Sequence, residues 1–258
     1  MLSARERERY KRQLILFGDE GQERLKKAHI FIAGAGGLGS PVSIYLAVAG
    51  VGTLTVVDKD VVDQTNLNRQ ILHYDKDIGK KKTESAEEKL IAWNPDITIR
   101  VIDTTIDAGN VGKLIGRADG IVDAMDNYPT RYLLNDTAHT KKIPFFHGAI
   151  RGFYGQATTI IPEKTACLRC IFPCAPPQEV FPVVGVTPGV IGTIQATEVL
   201  KYLLGTGDLL ANRLLIWDGM AMHTEEIRVE QNPACPTCGA KVNPPETKRS
   251  QKREKNDN

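Results

Sequence analysis

The 258-residue sequence has no apolar run near the ~18 residues that a membrane-spanning helix requires. It has almost no net charge, because 33 Lys and Arg against 31 Asp and Glu leave +2. So weak a field draws the chain neither to nucleic acid nor to an anionic membrane, and neither is expected as a partner. The opening MLSARERERYKRQ lacks the apolar stretch of a secretory signal, so a cytoplasmic location is expected. No internal repeat is present. Cysteine is sparse, five in all. Four of the five nevertheless form two CxxC pairs, Cys167/Cys170 and Cys235/Cys238. In a reducing compartment such pairs serve as metal ligands or redox centres rather than structural disulfides.

What remains is ordinary globular material, 41% apolar and 25% charged. Residues 3–27 read as helical and charged. Residues 29–33 form a short β-rich run that enters a glycine turn, residues 38–49 a small-residue helix, and residues 53–58 a second buried strand. Strand, helix, strand in so short a span is the βαβ unit. The alternation continues: a helix over 80–93, strands over 98–102 and 120–124, a helix over 131–141 and a strand over 144–147. This pattern predicts an α/β fold, Rossmann-like and doubly wound, with a mostly parallel sheet. After Gly148 the style changes. Strands over 156–161, 214–218 and 225–230 read as an antiparallel extension, with a Pro-rich loop and a helix over 190–204 before the last two. The expected organisation is a helical region 1–27, a Rossmann-like part 28–148 and a C-terminal part 149–242 of the same domain. A polar tail, 243–258, is expected to be disordered.

The turn is GAGGLG. Gly34, Gly36 and Gly39 match GxGxxG and Gly37 adds a fourth glycine. Glycine lets the backbone approach a phosphate at a helix N-terminus, where free N–H groups favour anions. Asp58 ends the next strand, where a carboxylate accepts hydrogen bonds from ribose. Glycines used only for helix–strand packing are the weaker reading. The following segment tilts the choice from a dinucleotide to ATP, since Asn66, Arg69 and Lys82 lie beyond the same sheet edge. A triphosphate needs such cations, the fork of Arg and the point charge of Lys. Three lysines, Lys80, Lys81 and Lys82, make a poor helix start unless an anion sits there. Asp126, in VDAMDNYPTR, is a candidate magnesium ligand beside phosphates, or else the N-cap of the next helix. Two matched CxxC pairs favour one tetrahedral Zn²⁺ over a redox dithiol.

RYKRQ, GAGGLG, NLNRQ, GKKKTES, MDNYPTR and the two CxxC pairs occur in one order. Together they resemble the ubiquitin-activating-enzyme-like adenylyltransferases of the ThiF/MoeB/HesA family. The resemblance implies adenylation of the C-terminal glycine carboxylate of a small ubiquitin-like sulfur carrier, for molybdopterin, thiamine or related sulfur transfer. It implies that Asp58 holds the ribose, that Asn66, Arg69 and Lys82 hold the phosphates, and that Asp126 binds magnesium. It implies that Arg12 reaches into a partner subunit's site, hence a homodimer, and that the four paired cysteines bind one structural zinc. Some relatives carry a further cysteine near the position of Val184 and Gly185; this chain has none there, and Cys174 lies earlier. Chemistry stopping at the adenylate, with a separate sulfur donor, is therefore expected. One alternative is adenylation of a small-molecule carboxylate, as in the iron-guanylylpyridinol cofactor branch. An NAD-dependent oxidoreductase lacks any hydride-transfer constellation. A silent scaffold is opposed by the joint presence of Arg12, Arg69, Lys82 and Asp126.

Overall fold

The computed structural model describes residues 1–177 and 181–239. The expected tail, 243–258, lies outside the described residues. The chain opens with α1 (Ala4–Arg9) and α2 (Lys11–Lys27), so the single helical stretch of the sequence is divided at Tyr10. A second break lies within α2 at Gly18, whose φ of 66° departs from the helix. Next come β1 (His29–Ala33), α3 (Gly39–Ala49), β2 (Thr53–Asp58), α4 (Lys82–Trp93) and β3 (Thr98–Asp103). Then follow α5 (Val111–Ile115), β4 (Gly120–Asp123), α6 (Tyr128–Lys141), β5 (Phe145–Arg151) and β6 (Tyr154–Ile160). The chain continues with α7 (Leu168–Ile171), α8 (Val186–Leu204), β7 (Arg213–Asp218) and β8 (His223–Arg228).

All eight strands join one sheet in the order β3-β2-β1-β4-β5-β6-β7-β8. The first five pair in parallel, and β5 through β8 pair antiparallel. The expected parallel sheet and its antiparallel extension are therefore one continuous layer. The strand order reverses between β1 and β4, where Ala33 lies opposite Asp123. Crevices for ligands open beyond the strand ends at such a reversal.

The period-two alternation of β1 divides the core. Ile30 and Ile32 face a layer built from Leu46 of α3, Leu90 of α4 and Val199 of α8. Phe31 and Ala33 face the other layer, with Ile115 of α5, Leu134 of α6 and Leu168 of α7. Each of these side chains except Ala33, wholly removed from water, contributes roughly 1.5–3 kcal/mol.

Helix α4 starts at Lys82 rather than at residue 80, and the reason is electrostatic. Lys80 pairs with Glu88 at 3.2 Å, and Lys81 pairs with Asp103. Lys81 keeps extended backbone (φ −61°, ψ 137°) ahead of the helix. Only Lys82 remains at the positive end. Helix α6 starts at Tyr128, earlier than the sequence reading, because Pro129 sits in its first turn, where no N–H is needed.

Candidate active site

The glycine turn leaves β1 at the strand-order reversal. Gly34 has φ 105°, and a Cβ there would lie 2.7 Å from the Ala124 carbonyl oxygen. A Cβ on Gly39 would meet the Gly34 carbonyl oxygen at 1.9 Å. Both positions require glycine, and the tight loop they permit sets the N-terminus of α3 against the end of β4. A cavity of about 790 Å³ opens above it. Gly34, Gly36, Gly37, Asp58, Arg69, Lys82 and Asp126 all line this cavity, so the structure gathers seven of the expected residues.

Two others stand beside the cavity rather than on its wall. Gly39 begins α3 behind the turn. Asn66 spends its side-chain oxygen on the Asp63 N–H, at 3.2 Å, while its carbonyl accepts from the Arg69 and Gln70 N–H groups. It shapes the turn that presents Arg69. Arg12 is exposed on α2, away from the cavity of its own chain, and Ile15 (78% exposed) and Leu16 (84%) follow it on the same helix face.

Asp58 accepts from the Ala35 N–H through one oxygen and from the Asp60 N–H through the other, each at 2.8 Å. Each carboxylate oxygen keeps a second lone pair for a ligand hydroxyl. Lys82 is buried, and its Nζ lies 3.0 Å from Asp60. The two sequence readings of Asp126 now separate. Asn127 is the N-cap of α6, its side chain accepting from the Thr130 N–H at 3.0 Å. Asp126 is exposed and faces the cavity.

A second cavity, about 470 Å³, adjoins the first. Tyr128, Tyr154, Gln156, Ile216 and residues 175–177 line it. Asp126, Arg131, Ile150 and Phe181 belong to both. Arg131 is buried at this junction, donating to the Met125 and Gly148 carbonyls, with its Nε 3.5 Å from Asp123. Nε itself has no hydrogen-bond partner. Gln70 lines the first cavity, and its buried Oε1 is likewise unpartnered. Sequence reasoning singled out neither residue. Both sit inside quoted motifs, Gln70 in NLNRQ and Arg131 in MDNYPTR, and neighbourhood was the available signal.

The four paired cysteines gather with all Sγ atoms within 4.8 Å of one another. Adjacent Sγ separations are 3.3, 3.5 and 4.0 Å. A tetrahedral ion with ~2.3 Å bonds to sulfur would set its ligands about 3.8 Å apart, so the donor set fits. Asp136 of α6 ties both CxxC loops to that helix, accepting from Arg169 at 2.9 Å and from the Thr237 hydroxyl at 2.7 Å. Cys174 is exposed and precedes the loop that lines the second cavity.

A family model described as the ThiF family matches residues 10–237, nearly the whole chain. This chain belongs to the ThiF family. It is 46% identical over 246 residues to the SAMP-activating enzyme E1 of Haloferax volcanii, covering 92% of this chain and 91% of that protein. It is 42% identical over 247 residues to the sulfur carrier protein adenylyltransferase of Thermus thermophilus, covering 91% of each. Among solved structures, E. coli MccB with MccA-N7isoAsn matches 90% of this chain and 75% of that one, with a TM-score of 0.81. At 24% identity, that likeness is one of fold. Among the described residues of this ThiF-family chain, no helix is long and apolar enough to cross a membrane.

Proposed function

We propose that this protein uses ATP to adenylate the C-terminal glycine carboxylate of a small ubiquitin-like sulfur carrier, releasing pyrophosphate. One observation carries the reading: a cavity lined by the glycine turn, Arg69 and Lys82 meets a second, largely apolar cavity at Asp126 and Arg131. ATP occupies the first, with ribose at Asp58 and phosphates along Gly36, Gly37, Arg69 and Lys82. The extended carrier tail enters through the second.

At the junction a carboxylate oxygen attacks the α-phosphorus, and the bond to pyrophosphate breaks. Both reactants are anions, so the work is charge neutralisation and alignment. The carboxylate is already ionised at neutral pH, and no general base is needed. Asp126 would hold Mg²⁺, which neutralises phosphate charge. Asn66 supports the site by fixing the turn that carries Arg69.

The four thiols hold one structural Zn²⁺, and reduced thiols of this kind suit the cytoplasm. The chain forms a homodimer in which the exposed face of Arg12, Ile15 and Leu16 meets the partner, so that Arg12 completes the partner's site. With no cysteine near Val184, the chemistry stops at the adenylate, and a separate sulfur donor takes the acyl group.

The test is exchange of labelled pyrophosphate into ATP. Exchange that depends on a carrier ending in glycine is expected. Exchange supported by a small free carboxylate, with no response to carriers, would replace the carrier with a small-molecule substrate.

A further inference from the structure

His73 is buried, lies outside the cavity and has no part in the chemistry above. Its two ring nitrogens nevertheless join the two halves of the nucleotide site. Nε2 lies 2.9 Å from the carbonyl oxygen of Ala35, in the middle of the glycine turn. Nδ1 lies 2.8 Å from the Ser85 hydroxyl, one turn into α4, the helix whose first residue is Lys82.

A carbonyl can only accept, so Nε2 carries the proton. In the neutral ring Nδ1 is then an acceptor, and the Ser85 hydroxyl donates to it. The surroundings support that assignment. Lys89 donates to Ser85 Oγ at 2.9 Å and also to Asp77, which accepts from the Tyr74 N–H at 2.8 Å. Asp77 thus has its own donors, and the Ser85 proton is left for the shorter contact, to His73 rather than to Asp77 at 3.2 Å. Burial, and the nearby charges of Lys82 and Lys89, push the His73 pKa below its ordinary value, which keeps the ring neutral.

Ala35 is held from both sides, since its N–H donates to Asp58 at 2.8 Å while its carbonyl accepts from His73. The flanking residues Gly34, Gly36 and Gly37 face the cavity. A turn rich in glycine has no side chains to fix its path, and its backbone is costly to order. An external clamp on Ala35 supplies that order before the ligand arrives.

We infer that His73 is a positioning residue for the nucleotide: it clamps the Ala35 peptide of the glycine turn against Ser85 of the lysine-bearing helix, and so sets the spacing between the turn's amides and Lys82. This rests on the reading that the first cavity takes ATP.

The two nitrogens can be tested separately. The amide nitrogen of glutamine reaches to the place of Nε2, whereas asparagine reaches only to that of Nδ1. Binding of α,β-methylene ATP with magnesium, measured by calorimetry, should weaken about tenfold in His73→Asn, the worth of one buried hydrogen bond. His73→Gln should recover most of that loss. In pyrophosphate exchange, His73→Asn should raise KM for ATP and leave KM for the carboxylate partner unchanged. Equal weakening by both substitutions, or a lowered Tm with nucleotide affinity intact, would reduce His73 to a packing residue.

A measurement on the unaltered protein guards against a variant that does not fold. Long-range ¹⁵N–¹H spectra of His73 should show Nε2 protonated and Nδ1 bare; the opposite tautomer overturns the clamp. If the unaltered protein binds no nucleotide, the reading of the cavity falls and the inference goes with it. If it binds nucleotide and His73→Asn binds equally well, only the inference falls.

Discussion

The Nζ of Lys82 stands 3.0 Å from a carboxylate oxygen of Asp60, and the two groups differ sharply in exposure: the lysine side chain is 6% exposed and the aspartate 54%. The buried lysine is thus paired with a carboxylate that solvent can still reach. On the proposed reading of the cavity, removing the cation alone leaves a bare carboxylate facing the ATP phosphates.

Lys82→Ala should therefore lose more pyrophosphate exchange than the loss of one cation explains, on the order of 100-fold. Adding Asp60→Asn should return part of the loss, because the residual repulsion goes with the charge. A double-mutant cycle on KM for ATP measures the coupling. Strict additivity would show that the pair does not act as a unit.

Asp126→Ala should abolish exchange with the fold intact. Asn127, not Asp126, caps α6, so the substitution spares the helix. The check is exchange together with circular dichroism. Near-normal exchange in a folded variant would remove Asp126 from the chemistry.

How far the site could be read from the sequence follows from the range of the interactions. Strands β1 and β2 were legible to the residue, because His29–Ala33 and Thr53–Asp58 are continuous buried runs ended by turn signals. Helices α5 and α7 were not, because Val111–Ile115 and Leu168–Ile171 are too short to display a 3.6-residue period. Gly34, Asp58 and Asp126 follow or end strands and Lys82 starts a helix, where local motif and spatial position coincide. The role of His73 depends on Ala35 and Ser85, both distant in sequence, and no local pattern reports such a contact.

One Zn²⁺ per chain is expected from metal analysis of the purified protein. Cys235→Ser should lower both zinc content and Tm, since closing the metal site is coupled to folding of the segment around it. The CxxC loops grip α6 through Asp136, so the loss should reach beyond the loops themselves. Protein free of zinc with all four thiols openly reactive would contradict this.

Subunit complementation tests Arg12. Arg12→Ala and Lys82→Ala proteins, each inactive alone, should regain activity when mixed as heterodimers. One shared site then carries both changes and the other carries neither. A verified heterodimer with no recovery would remove Arg12 from the partner's site.

Stability should fall between roughly pH 7 and pH 5. His147 is wholly buried, and burial holds its pKa below the ordinary value against the pull of Asp123, 2.7 Å away. His73 is shifted in the same direction, first by burial. The unfolded chain takes up protons at the ordinary histidine value, and the native state does not. Stabilisation is therefore complete above that value and declines below it, by up to about 1.4 kcal/mol per pH unit for each group. Urea titrations at pH 7.5 and 5.5 measure the slope. Equal stability at the two would mean that these rings protonate freely in the native state.

The two cavities share Ile150 of β5 but otherwise draw on different strands of one sheet. No residue of β6 or β7 touches the cavity above the glycine turn, whereas Tyr154, Gln156 and Ile216 on those strands line its neighbour. On the proposed reading of the second cavity, acceptor preference can drift by substitution on the antiparallel strands while the nucleotide machinery stays untouched. In a lineage whose acyl partner changes, the record of that change would be written in β6 and β7, with the loop after β1 reading the same throughout.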